Sequence, residues 1–280
     1  MFFGQSILPV FMSIQKVIFT EKIKIRNNER IKFAVKIKEK ESFRRSEGLF
    51  LVEGARLCYD AALSGVQITE LYFTPEAKEK YENYVTLVEN KAERCFEISG
   101  DVAQKLADTK STQGVFCLCK MLDKNTNIGK IKYNGKYIAL EDVSNPSNFG
   151  AVIRTAEAVG LDGVIVSGGC DLYNPKSLRA SMGSVFRLNV VETDDLPAFL
   201  KGLAQKGMFV YAGVPDSNAE NITEVSMAGG GVAIIGNEGN GITEETLKSA
   251  TRLVTIPMKG RAESLNAAAA ASIMIWEMMR

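Results

Sequence analysis

From Lys136 onward, six short apolar runs alternate with helical stretches, and this alternation most limits what the chain can become. The runs are Tyr137–Leu140, Gly163–Val166, Leu188–Val191, Met208–Tyr211, Val232–Ile235 and Leu253–Ile256. Helical patterns fill 149–159, 176–182, 197–206, 243–249 and 265–279. Strands apolar along their whole length, separated by helices, predict a parallel sheet covered on both faces, an open α/β fold. A second alternation lies upstream. Apolar runs at Leu49–Val52, Ile68–Phe73, near Phe96 and at Gly114–Leu122 enclose helical stretches at 54–64, 76–90 and 101–107. That pattern reads as a smaller α/β domain. The polar segment 123–135, DKNTNIGKIKYNG, is the natural linker. The expected division is therefore 1–123 and 136–280, and 280 residues suffice for two cores.

The net charge of +1 conceals an uneven distribution. Lys16–Arg45 carries eleven Lys/Arg against four Asp/Glu, a local +7, which leaves about −6 for the rest. A basic N-terminal segment, read as an exposed helix or arm, points to a polyanionic partner. A solvated basic face is the plainer alternative. The chain has no histidine, which excludes Ser-His-Asp and Cys-His catalysis and imidazole-bound zinc. Its five cysteines lack CxxC spacing; Cys117 and Cys119 share one face of a strand pattern and read as buried thiols. Nothing calls for disulfides, so a cytoplasmic setting fits. Residues 1–15 are uncharged but too short and interrupted for a membrane span, and translation from Met12 would make residues 1–11 an artefact. Neither GxGxxG nor GxxxxGK[ST] occurs, which disfavours a dinucleotide or P-loop enzyme.

Three polar loops follow predicted strands: Asn145–Arg154 (NPSNFGAVIR), Ile234–Ile242 (IIGNEGNGI) and Ile256–Asn266 (IPMKGRAESLN). Loops at the ends of parallel strands build ligand sites in such sheets. In this order, the three resemble the motifs of the SpoU (TrmH) family of RNA ribose 2′-O-methyltransferases, within the SPOUT superfamily. Lys176–Gly183 is similar to the stretch the family carries between its first two motifs, and residues 40–122 resemble its fused substrate-binding domain. The resemblance implies a deep trefoil knot in the C-terminal domain, S-adenosylmethionine as cofactor and a homodimer. It also implies a structured RNA substrate, with large-subunit rRNA favoured over tRNA. A noncatalytic RNA-binding or ribosome-assembly protein keeping the same fold is the alternative.

By the same resemblance Arg154 matches the catalytic arginine. Asn148 is expected to cap the helix or orient Arg154, and Glu238 to fix Arg154 or touch RNA. Ser264 and Asn266 open the last helix, Ser264 as a cap and Asn266 reaching substrate or Arg154. Gly236, Ile256 and Leu265 are the expected cofactor contacts, although two aliphatic residues there could equally be core. Without the other loops, Arg154 would read as a surface arginine paired with Glu157 at i+3.

Overall fold

A computed structural model describes residues 20–122 and 129–280. In the first span, β1 (Thr20–Ile23), β2 (Leu49–Glu53), β3 (Ile68–Phe73), β4 (Arg94–Ile98) and β5 (Val115–Lys120) form one sheet, ordered β1-β4-β3-β5-β2. The pairs β1–β4 and β4–β3 are parallel, while β5 runs antiparallel between β3 and β2. Side chains alternate across this sheet, as the pleat requires. Leu51, Tyr72, Phe96 and Leu118 share a core cluster with α1 (Glu29–Glu39) and α6 (Gly100–Leu106). Phe50, Val52, Leu71 and Cys117 pack with α3 (Ala55–Leu63) and α5 (Glu82–Lys91).

Two expectations need correction here. The described part of the basic segment is not a free arm. Ile31, Ala34 and Ile37 of α1 are fully buried, because a three-residue spacing puts them on one helical face and the lysines on the other. A short α2 (Glu41–Glu47) follows and ends at the left-handed Gly48. The stretch 76–90 is two helices, α4 (Pro75–Lys80) and α5, broken where Tyr81 leaves helical geometry at φ −118. No glycine or proline marks that break. The expected features of residues 1–19 and 123–128 lie outside the described residues.

The second sheet contains β6 (Lys136–Glu141), β7 (Gly163–Ser167), β8 (Val190–Glu192), β9 (Val210–Gly213), β10 (Glu220–Asn221), β11 (Gly231–Ile235) and β12 (Arg252–Thr255). Its order is β10-β12-β9-β11-β6-β7-β8, and every pairing is parallel. The chain runs outward through β7 and β8, then crosses to β9 on the far side of β6. That leaves a slot which β11 later fills. Because the strands are parallel, the loops after β6, β11 and β12 leave from one edge, at the point where strand order reverses. One face packs against α7 (Pro146–Val159) and α11 (Ala267–Met279), and α8 (Pro175–Ala180) lies against α7 and β2. The other packs against α9 (Leu196–Gln205) and α10 (Glu244–Leu247).

The two sheets share a continuous core, in which Phe50 of β2 lies 4.6 Å from the Tyr173 ring and 6.2 Å from that of Phe186. Beside it Arg44 meets Asp171 at 2.6 Å, both side chains buried. Among the described residues no helix is long and apolar enough to cross a membrane.

Candidate active site

Asn145 accepts a hydrogen bond from Ser147 N (2.9 Å), and Pro146 opens α7 with the torsion a first helical residue needs. The helix thus starts three residues earlier than expected. Asn148 is not its cap; it lies inside the first turn, buried at 9 % exposure. Its amide is free to face other loops.

The loop after β11 closes on itself. Asn237 and Gly241 exchange backbone hydrogen bonds of 3.0 and 2.9 Å, and Asn237 Oδ1 accepts from Gly239 N and Asn240 N. A Cβ on Gly236 would sit 2.1 Å from the Gly241 carbonyl carbon, so Gly236 is required by this turn's own backbone. The turn presents Glu238. Its carboxylate accepts from Ser144 N, Ser144 Oγ and Asn145 N, each at 3.1 Å, and from Asn148 Nδ2 at 2.9 Å. Partial burial pushes this carboxyl upward, but the bonds from Asn148, Ser144 and Asn145 outweigh it and hold the group down at about 2.

After β12 the chain runs through residues 256–266 to α11. Asn266, not Ser264, caps α11, accepting from Ala268 N at 3.0 Å and Ala269 N at 3.3 Å. Its Nδ2 donates to Asn148 Oδ1 at 3.0 Å. A hydrogen-bonded chain, Glu238–Asn148–Asn266, therefore ties the three loops together. Ser264 is exposed and free of capping duty.

Beside this chain lies a cavity of about 680 Å³, whose lining includes Gly236, Glu238, Ile256, Ser264, Leu265 and Asn266. Seven of the eight expected site residues thus either line it or, like Asn148, bond directly to a residue that does. Arg154 does neither. It is exposed on α7, and among the described residues it makes no hydrogen bond or ion pair. Glu238 does not fix it, Asn266 does not reach it, and Glu157 pairs instead with Arg187 at 2.9 Å.

The structure adds residues that the sequence did not single out. Glu141, buried at the end of β6, accepts from Thr243 N (2.9 Å) and Thr243 Oγ1 (2.8 Å) and so anchors the far side of the β11 loop. Gly213 lines the cavity where a Cβ would meet Met274 Sδ at 2.6 Å. A carboxylate at the end of an apolar strand was a usable signal for Glu141; Gly213 had none.

The cavity's size falls within the usual range for cofactor sites. Ile235, Ile256, Leu265 and Met274 supply apolar walls, while Glu238 and Glu263 bring negative charge. Such a lining suits a ligand that combines an apolar ring system with a positive charge. The profile of the SpoU rRNA Methylase family matches residues 135–276, the whole span of the second sheet and its loops. The chain belongs to the SpoU rRNA methylase family. An MRM3-like substrate binding domain matches residues 28–117. The chain is 29 % identical to the Bacillus subtilis 23S rRNA (guanosine(2553)-2′-O)-methyltransferase RlmP, over 92 % of this chain and 99 % of that protein. It is 26 % identical to the Ralstonia nicotianae 23S rRNA (guanosine-2′-O-)-methyltransferase RlmB, over 81 % and 91 %. Among solved structures, an AdoMet-bound rRNA methyltransferase from Sinorhizobium meliloti superposes with a TM-score of 0.81 at 25 % identity, covering 92 % of this chain and 97 % of that one. As a SpoU family member, the chain lines one cavity with its second and third motif loops and ties the first to them through Asn148, while the Arg154 side chain lies outside this network.

Proposed function

We propose that the protein transfers a methyl group from S-adenosylmethionine to a ribose 2′-hydroxyl of large-subunit rRNA. The observation that carries this reading is the Glu238–Asn148–Asn266 chain, which ties the first loop to the two loops lining the 680 Å³ cavity. When bound, S-adenosylmethionine supplies a methyl group activated on a sulfonium sulfur. Ile256 and Leu265 would hold the adenine of the cofactor, with the backbone at Gly236 beside it. Ser264 and the Asn148 network position the ribose. Arg154 stabilises the negative charge developing on the 2′-oxygen. A guanidinium, with a pKa above ~12, is a poor base, so a phosphate or water takes the proton.

Arg154 does not line the cavity of its own chain, so we assign it to the cavity of a second copy in a homodimer. The surface suited to that contact is the outer side of α7 and α11. Thr155 and Ser272 join the two helices at 3.5 Å, and Ile273 and Trp276 beyond them are 36 % and 62 % exposed. Large apolar side chains exposed on the helix packed against α7 suit a subunit contact. The reading also includes a knotted C-terminal domain, a cytoplasmic location and an N-terminal domain that binds rRNA through phosphate and 2′-hydroxyl contacts.

The test is incubation with methyl-labelled cofactor and unmodified large-subunit rRNA transcript. Label in alkali-resistant dinucleotides is the expected outcome; none with any cellular RNA would leave a noncatalytic RNA-binding protein. Arg154→Ala should lower turnover by roughly 10²–10³ with cofactor affinity preserved. Near-normal turnover removes Arg154 from the chemistry.

A further inference from the structure

A second cavity, of about 310 Å³, lies where the N-terminal domain meets α8, and none of the motif loops lines it. We propose that this cleft, lined by Arg56, Leu57, Gln113, Arg179 and Met182, holds an unstacked nucleobase of the substrate RNA beside the methylated ribose. The inference rests on the proposed RNA methyl transfer and adds a recognition site to it.

The lining has the chemistry a base requires. Leu57 and Met182 supply apolar surface. Met182 is exposed at 53 % and held at φ 50, a left-handed conformation costly for a side chain of its kind. Arg56 stands at the rim, 61 % exposed, tethered by Asp60 at 3.1 Å and lying 5.7 and 5.9 Å from the Tyr59 and Tyr84 rings. A planar guanidinium braced in this way offers a stacking surface, the kind of contact single-stranded RNA bases use. Gln113 Oε1 accepts from Ala55 N at 2.8 Å, which orients the amide. Among the described residues its Nε2 donates to no protein acceptor, leaving a directed donor for a base edge. At the back, Arg179 bonds Asp108 through Nη2 at 2.5 Å, while its buried Nη1, 3.6 Å from Glu53, lacks a hydrogen bond. The carboxylates nearby are already engaged by Arg56, Arg179 and Thr109, so the cleft offers donors and a flat cation more than free negative charge.

Position favours the same occupant. Glu157, three residues after Arg154 on α7, pairs with Arg187. A Cβ on Gly183 would come within 3.3 Å of Arg187 Nη1 and 3.1 Å of Asp60, which itself lines the cleft. A chain of side-chain contacts therefore runs from the helix that carries Arg154 to the cleft. On this proposal, an RNA strand that presents its ribose at Arg154 lays a neighbouring nucleotide in the cleft.

The test uses the full-length protein and the same rRNA transcript. Arg56→Ala, Gln113→Ala and Met182→Gly should each raise KM for RNA, roughly tenfold for Arg56→Ala, with kcat and cofactor affinity within about twofold. Met182→Gly removes the backbone strain, so its melting temperature should hold or rise while KM worsens; a purely structural role would not give that pair of results. Abasic substitutions are then placed singly on either side of the methylated ribose. One of them should mimic Arg56→Ala in the wild-type enzyme and add nothing to the variant. Unchanged KM in all three variants, or strict additivity at every abasic position, overturns the cleft while leaving methyl transfer standing. An inactive wild-type enzyme removes both readings.

Discussion

Asn148 engages a different loop with each end of its amide, donating to Glu238 and accepting from Asn266. No other side chain of that length both donates and accepts in this geometry. Asn148→Ala removes one hydrogen bond from each of Glu238 and Asn266, the first of them to a charged group, and a loss of about 1–3 kcal/mol is expected in urea unfolding. Glu238 adds a pH signature. Its folded-state value is held at about 2, below the ordinary 4.5, so its stabilisation is complete above pH 4.5 and is lost as pH falls toward 2. Glu238→Gln should flatten the acid side of the stability profile over that window; an unchanged acid slope would show that the loop contacts do not depend on the carboxylate. The residue types of this network could be read from the motifs. Its pairing could not, because nothing in residue order says that Asn148 faces Glu238 in place of Arg154. The cap was readable: Asn145 followed directly by Pro146 is a helix start, and it releases Asn148 for other work.

At the level of elements, α7 carries Asn148 and Arg154, and α8 packs against it. They meet at Gly150, where a Cβ would lie 2.4 Å from Ala180 Cβ and 2.7 Å from the Ser177 carbonyl oxygen. Helix propensity alone favours alanine over glycine by roughly 0.5–1 kcal/mol. Overpacking works against it at about 1–3 kcal/mol. The contact wins, so Gly150→Ala should lower the melting temperature and shift α7, reducing turnover more than cofactor binding. A stabilised variant would mean that α8 yields easily. The strand and helix periods predicted most of these elements. They missed β1, β10 and the break at Tyr81, where tertiary pairing or a single backbone torsion, not periodicity, sets the structure.

Across the whole molecule, the domains are joined by a buried ion pair. Arg44 Nε and Nη2 meet Asp171 Oδ2 at 2.8 and 2.6 Å, and its Nη1 donates to the carbonyls of Ile37 and Lys38. Arg44→Ala would strand a carboxylate that is 7 % exposed, at an expected cost of about 3–5 kcal/mol by calorimetry. A variant of wild-type stability would mean that the domains can separate freely. The proposed homodimer is tested at the same scale. Trp276→Glu should convert the protein to monomers in sedimentation and abolish turnover, while cofactor affinity stays within a few-fold. A fully active monomer would place Arg154 back in its own chain's site.

Residue order was enough to establish two α/β units, a parallel second sheet and three loops at strand ends. Periodicity and loop composition are local properties, and hydrophobic burial enforces them wherever the chain folds. Which loop touches which depended on β11 entering the slot between β6 and β9, a long-range event that brings Gly236–Gly241 beside Asn145–Asn148. The cleft beneath Met182 likewise exists only because two domains pack together, since its walls come from residues 53–60 and 109–113 of one and Arg179 and Met182 of the other. Contacts of that kind follow from packing geometry, which no local pattern encodes.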